Sequence, residues 1–261
     1  MNIFVCLKQV PDTGAVINMT PDQTNIATNQ LEYVINPYDE YALEEALMLK
    51  DKDSSINITA ITAGSQRCRQ ALNPALAVGA DRGIFVDTWE DRSYDSYFNA
   101  NMVGESIEQG FDLVLCGLQG ADYNNGQFPF YLAKKLKVPV VTNIFSIDLV
   151  EDDKWVRAVR LNDDGSKTVY EVKLPAVLSF SKGINPLRYA SLPGIIKAKS
   201  KEVVTVITDE VSASKYRLPF RIKELYQSKQ ERDNIVISDT DGTAVNRLFE
   251  YLVNNLEHFE F

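Results

Sequence analysis

Histidine is almost missing from this chain: of 261 residues only His258, near the end, carries an imidazole. Histidine-based acid–base catalysis and histidine-ligated metal chemistry therefore have almost no raw material. Cysteine is scarce as well, with Cys6, Cys68 and Cys116 alone. Three scattered cysteines make neither a disulfide scaffold nor a metal cluster. Cys6 and Cys116 each close an apolar run, so they read as small buried hydrophobes. Basic residues number 27 against 36 acids, for a net charge of -9. That balance argues against a nucleic-acid partner, because binding phosphodiesters requires a basic surface. No window approaches the roughly 18 consecutive apolar residues of a membrane span. The start, MNIFVCLKQV, lacks the basic segment and apolar stretch of a signal peptide. Internal repeats and low-complexity tracts are absent too. The expectation is a cytoplasmic protein without membrane insertion.

What is present is an ordinary globular composition, 45% hydrophobic and 24% charged, on a chain long enough to bury a full core. Residues 2–7 (NIFVCL) read as a first strand, which Pro11 ends because it cannot donate to a ladder. A polar excursion runs to Gln30, with room for a short hairpin. A helix then begins at Asn36-Pro37-Tyr38-Asp39-Glu40, with Asn36 or Asp39 as candidate caps and acids in the first turn, where the helix dipole favours them. Strands at 56–62 and 82–86 alternate with helices ending at Gly79 and near Gly110, the second drawn over 92–109. This alternation indicates right-handed βαβ crossovers and a parallel sheet. After a short apolar run at 138–141, strands at 144–150, 154–161 and 167–172 follow without intervening helices, with a turn at Asn162-Asp163-Asp164-Gly165. They read as an antiparallel meander. Leu178–Phe180 returns to the parallel sheet.

Residues 182–201 form a basic loop holding Lys182, Arg188, Lys197, Lys199 and Lys201 and no acid. The tail has a strand at 202–208 and a closing amphipathic helix at 243–256, with Leu248, Leu252 and Leu256 on one stripe. The fold class is thus α/β: a doubly wound, mainly parallel sheet of the adenine-nucleotide-binding type, with an antiparallel meander and a C-terminal arm. Residues 1–203 form the α/β domain and 204–261 the arm.

The chemistry concentrates in Asp112–Leu136. An apolar strand, Leu113–Cys116, breaks at Gly117 into a polar loop carrying Gly120, Asp122, Asn124, Asn125 and Gly126, and a helical pattern starts beyond Gln127. Strand, glycine-punctuated loop and helix is a geometry that presents backbone N–H groups to a phosphate. The loop matches neither common nucleotide fingerprint, and alone it is equally compatible with ordinary turn glycines. Its setting favours a ligand. Cys6–Lys8, Asn36–Asp39 and Ala63-Gly64 should share the same C-terminal sheet edge, where open α/β sheets bind ligands. There small residues admit an adenine or ribose, and Asp39 or Asp122 could accept hydroxyl protons.

The wording VCLKQVPDT (5–13), INPYDEYALEEAL (35–47), ITAGSQRCRQALNPALAVGADRGI (61–84), DLVLCGLQGAD…GQ (112–127), LPAVLSF (174–180) and NPLRYASLPGIIKAKSK (185–201) resembles the β subunit of electron transfer flavoprotein. The resemblance implies a heterodimer with an α subunit, an FAD shared with that subunit, and an adenine nucleotide held by this chain: AMP, or a second FAD in electron-bifurcating members. It places the nucleotide at Cys6, Asn36, Pro37, Tyr38, Asp39, Ala63, Gly117, Gln119, Asp122, Gly126 and Gln127, to which the loop adds Gly120, Asn124 and Asn125. It makes 185–199 a recognition loop for a flavin dehydrogenase, with Leu192 as apolar anchor among Arg188, Tyr189, Pro193, Ile195, Lys197 and Lys199. Two departures stand out. The stretch between Gln119 and Gly126 is shorter than in the family, with Asn125 where Thr or Val is usual, so fewer N–H groups are on offer. The tail beyond about 205 does not follow the family wording.

The expected function is an electron carrier with no acid–base catalytic residue of its own. The alternative is a stand-alone adenine-nucleotide module of the universal-stress type, which would carry a glycine-rich run ending Gly-Ser after the fourth strand and would not need the basic loop. An adenylating pyrophosphatase would need Ser-Gly-Gly-x-Asp-Ser after the first strand, where Lys8-Gln9-Val10-Pro11-Asp12 stands.

Overall fold

The protein is described from a computed structural model that covers residues 1–23, 26–28, 31–88, 92, 94–150, 154–162, 164–181, 185–208, 215–216, 223–226, 235–239 and 242–255. Lys182, Asp163, Leu256 and His258, all singled out in the sequence, lie outside the described residues. The chain divides into two compact units, Met1–Lys223 and Glu224–Phe261.

The first unit is built on strands β1 (Asn2–Cys6), β4 (Asn57–Gly64), β5 (Arg82–Asp87), β6 (Leu113–Gly117), β7 (Val140–Val150), β8 (Trp155–Leu161), β9 (Lys167–Lys173), β10 (Ala176–Phe180) and β11 (Val203–Ile207). They form one sheet in the order β11-β5-β4-β1-β6-β10-β7-β8-β9, parallel from β11 to the first part of β7. A separate ribbon pairs β2 (Gln9–Pro11) with β3 (Tyr33–Ile35). Helices α1 (Pro37–Lys52), α2 (Leu72–Val78), α3 (Ser96–Ser106), α4 (Phe128–Leu136) and α5 (Leu192–Ala198) complete this unit.

The central strands are apolar along their whole length because both faces are covered. Ile3, Val5, Leu113 and Leu115 point into the layer that holds Leu43 and Leu47 of α1. Phe4, Cys6, Val114 and Cys116 point into the opposite layer with Phe98 of α3 and Leu132 of α4. Helix α1 begins with Pro37 in its first turn, where the missing N–H has no partner to lose, and carries Asp39 and Glu40 beside the positive end of its dipole. Asp95 caps α3 by accepting from Phe98 N at 2.8 Å.

β1 leads through α1 to β4 on one side, while β6 lies on the other side of β1. The sheet therefore reverses its winding at β1/β6, and the C-terminal ends of those two strands open onto a crevice.

Several expectations are corrected. The end of the apolar run at 138–141 and the strand at 144–150 are one strand, β7 (Val140–Val150), of 11 residues. It pairs parallel with β10 at its start and antiparallel with β8 beyond, turning at Asn143, whose φ is 60°. That left-handed residue interrupts the apolar pattern without ending the strand. The helix drawn over 92–109 is shorter, Ser96–Ser106. The basic loop contains α5, and β11, assigned from sequence to the arm, extends the main sheet beside β5.

In the second unit, α6 (Ala244–Asn254) leaves Val245, Leu248, Phe249 and Leu252 substantially exposed. Leu248 and Leu252 lie one helical turn apart, as their spacing requires.

A tight contact seats α5 on α2: a Cβ on Gly194 would fall in hard collision with the carbonyl oxygen of Ala77. Backbone cannot swing away as a flexible side chain can. Gly194→Ala is expected to cost about 1–3 kcal/mol and to raise amide exchange selectively across 192–198, read by hydrogen-exchange mass spectrometry. Unchanged exchange there would contradict the contact.

Candidate functional site

The crevice is assembled by polar side chains that tie neighbouring strand ends together. Asp39, in the first turn of α1, accepts from the backbone N–H of Lys8 through Oδ2 and from that of Gly117 through Oδ1, both at 2.7 Å. One buried carboxylate thus pins the segment after β1 to the end of β6. Asn36 occupies the cap position of α1 without capping it. Its Nδ2 instead donates to the carbonyl of Gln119 at 2.9 Å, and its Oδ1 accepts from Ala121 N–H at 3.0 Å. The loop after β6 is therefore held from below by two residues, Asn36 and Asp39, that the sequence offered as helix caps.

Glycine is required at 117 for proximity. A Cβ there would fall 2.9 Å from the carbonyl carbon of Tyr38 and against the Asp39 carboxylate. Asn124 and Gly126 both adopt left-handed backbone, φ 49° and 59°, which turns the loop into α4.

The loop's N–H groups divide into two sets. Gly117 and Ala121 donate to Asp39 and Asn36, Leu118 to the carbonyl of Phe180, Tyr123 to the Asp122 carboxylate, and Asn124 to the carbonyl of Gly120. Among the described residues, Asn125, Gly126 and Gln127 make no such bond. They stand where α4 begins, at the positive end of its dipole. Earlier in the loop the N–H groups of Gln119, Gly120 and Asp122 also donate none of the described bonds, and the three consecutive amides at the helix start form the candidate anion cradle.

Cys6, Asn36, Asp39, Ala63, Gly117, Gln119, Gly120, Asn125, Gly126 and Gln127 all line one crevice. Pro37, Tyr38, Asp122 and Asn124 are not in its wall. Pro37 starts α1, Tyr38 backs Gly117, Asp122 faces Lys8, and Asn124 accepts from Gln119 Nε2 at 3.1 Å. The wall also contains Lys8, which the sequence placed at this edge with Cys6, and Arg92, Ser96 and Asn99, which sequence reasoning missed. Those three lie before and in the first turn of α3, which only the strand order brings to this edge.

Burial pushes the thiols of Cys6 and Cys116 well up, so both stay neutral. Burial also pushes the Asp39 carboxyl up to about 7, against the two amide bonds that favour its anion.

The segment 185–199 has a double character. Tyr189, Leu192 and Ile195 are 97%, 72% and 44% exposed, and Pro193, Lys197 and Lys199 are exposed beside them. Arg188 instead turns inward. Its guanidinium and backbone N–H bond Glu44 of α1 at 2.8–3.1 Å, and its Nη2 reaches Asp51 at 2.8 Å.

Comparisons with known proteins identify the family. A family model described as the electron transfer flavoprotein domain matches residues 23–211. An electron transfer flavoprotein subunit beta from Syntrophomonas wolfei is 33% identical over 98% of this chain and 98% of its own length. Those of Bacillus subtilis and Homo sapiens are each 34% identical, over 81% and 79% of this chain and 80% and 81% of theirs.

Asp39→Asn would set a carboxamide NH₂ against one of the two backbone donors and is expected to destabilise by about 1–3 kcal/mol. The folded chain holds a proton on Asp39 at pH values where the unfolded chain has lost it, so this carboxyl's stabilisation fades as pH rises from about 4 to about 7. The gap between wild type and variant, measured by urea unfolding, should therefore be widest near pH 4 and narrow toward pH 7. A gap that widens over that interval would contradict the assignment.

Proposed function

Because the chain belongs to the electron transfer flavoprotein β-subunit family, we propose that it is one half of a cytoplasmic heterodimer that carries electrons on FAD from a flavin dehydrogenase to an acceptor. The observation that carries this reading is the crevice at the β1/β6 switch point, with its amide cradle at the start of α4. In this role the crevice holds an adenine nucleotide, AMP or a second FAD. The residues present fit such a group. The N–H groups of Asn125, Gly126 and Gln127 supply donors for a phosphate, and the absence of bulk at Ala63 and Gly117 leaves backbone accessible to a flat base. Asp39 and Asn36 hold the cradle's loop in place and leave the phosphate to the amides.

The FAD shared with the α subunit supplies the redox chemistry. This chain's share of the work is placement. Tyr189, Leu192, Pro193 and Ile195 present a small apolar surface beside Lys197 and Lys199, which fits an apolar pocket with an acidic rim on the dehydrogenase. Arg188 serves this surface from behind, through Glu44 and Asp51 of α1.

Co-expression with an α-type subunit should yield a yellow heterodimer. In it, Leu192→Ala should raise the apparent KM for the electron-donating dehydrogenase by about tenfold, the effect of removing a central apolar anchor, while FAD content stays unchanged. A colourless monomer would refute the heterodimer, and an unchanged KM would refute the docking surface.

A further inference from the structure

The cleft contains an ion pair that the role described above does not use. Lys8, two residues beyond β1, places Nζ 2.7 Å from Oδ1 of Asp122 in the middle of the loop. The Asp122 side chain is only 6% exposed and that of Lys8 29%. The loop backbone lies directly on the pair: a Cβ added to Gly120 would fall 2.9 Å from Lys8 Nζ. The ring of Tyr123 covers the ammonium from another side, 5.3 Å away, and is met edge-on by Tyr94 at 6.4 Å.

A nearly buried carboxylate needs a partner, and this one sits three residues before the cradle opens at Asn125. Asn36 and Asp39 hold the loop at Gly117, Gln119 and Ala121. Beyond Ala121 the only side chain reaching the loop from β1 is that of Lys8 among the bonds described. The six residues between Gln119 and Gly126 are thus clamped at their start by α1 and in their middle by Lys8.

We propose that Lys8 and Asp122 form a latch that fixes the short loop across the sheet edge and so aims the amides of Asn125–Gln127 at the nucleotide's phosphate. Lys8 is a positioning residue that acts through Asp122, and the phosphate is bound by amides. The proposal rests on the nucleotide-binding reading of the cleft. Its physical basis is preorganisation: a loop fixed beforehand loses less freedom when the ligand arrives.

The test is isothermal titration of AMP, and separately of FAD, into the full-length chain freed of small molecules by dialysis. The variants are Lys8→Met, Asp122→Asn, the double variant and Lys8→Arg. Each single variant should weaken binding of the preferred nucleotide on the order of tenfold, as expected when a partly buried ion pair is broken. The double variant should be no weaker than either single one, and Lys8→Arg should recover most of the affinity. The sign at Asp122 is decisive. If the lysine instead bound the phosphate directly, Asp122→Asn would strengthen binding by removing the competing carboxylate, which would overturn the latch. Additive losses in the double variant would overturn it as well. If the wild type binds neither AMP nor FAD, the nucleotide reading itself fails. Wild-type binding with unchanged affinity in Asp122→Asn refutes the latch alone.

Discussion

The arrangement depends on one buried carboxylate. In a doubly wound sheet the strands diverge where the winding reverses, and the loops leaving β1 and β6 have no ladder to hold them together. Asp39 supplies that connection with two short bonds to backbone amides on opposite sides of the gap. It can do so because α1 starts at the crevice and Asp39, in its first turn, is buried between the two strand ends. Gly117 completes the fit, since a side chain there would displace both Tyr38 and the carboxylate. The crevice has a fixed floor because these positions constrain one another.

That floor determines what the loop above it can offer. Several of the loop's N–H groups are bonded to Asp39, Asn36, Asp122 and neighbouring carbonyls, while the consecutive amides of Asn125–Gln127 make no such bond at the start of α4. The division has a physical logic. A short loop that left its amides unpaired would be poorly ordered, while one that bonded them all would have nothing for a ligand. Bonding part of the loop and leaving the run at the helix start open meets both demands. On the other side of α1 the same economy recurs. Glu44 and Glu45, buried acids, hold Arg188 and Asn185, so the helix that builds the crevice also carries the segment presenting Leu192.

Much of this was legible from residues alone. β1 and β6 announce themselves as continuous apolar runs because they are covered on both faces, and the break at Gly117 followed by a helical pattern marks the loop. The assembly of Asn36–Asp39, Ala63 and Gly117 at one edge follows from βαβ winding. What stayed hidden depends on distant partners. Lys8 looks like any polar residue after a strand until Asp122 is brought 2.7 Å away. Arg188 looks like one more cation of a basic loop, and only the inward face of α1 shows that its charge is already engaged by Glu44. The continuity of β7 over 140–150 was hidden by Asn143, because a left-handed residue inside a strand resembles a turn in sequence. The helix α5 was obscured by Pro193, which reads as a breaker but is tolerated at a helix start.

The most direct measurement is to denature the purified complex in acid and identify the released nucleotides by chromatography. If the crevice at β1/β6 is an adenine-nucleotide site, each chain should release one AMP, or one further FAD, in addition to the FAD shared with the partner subunit. Release of a single FAD and no other nucleotide would contradict it.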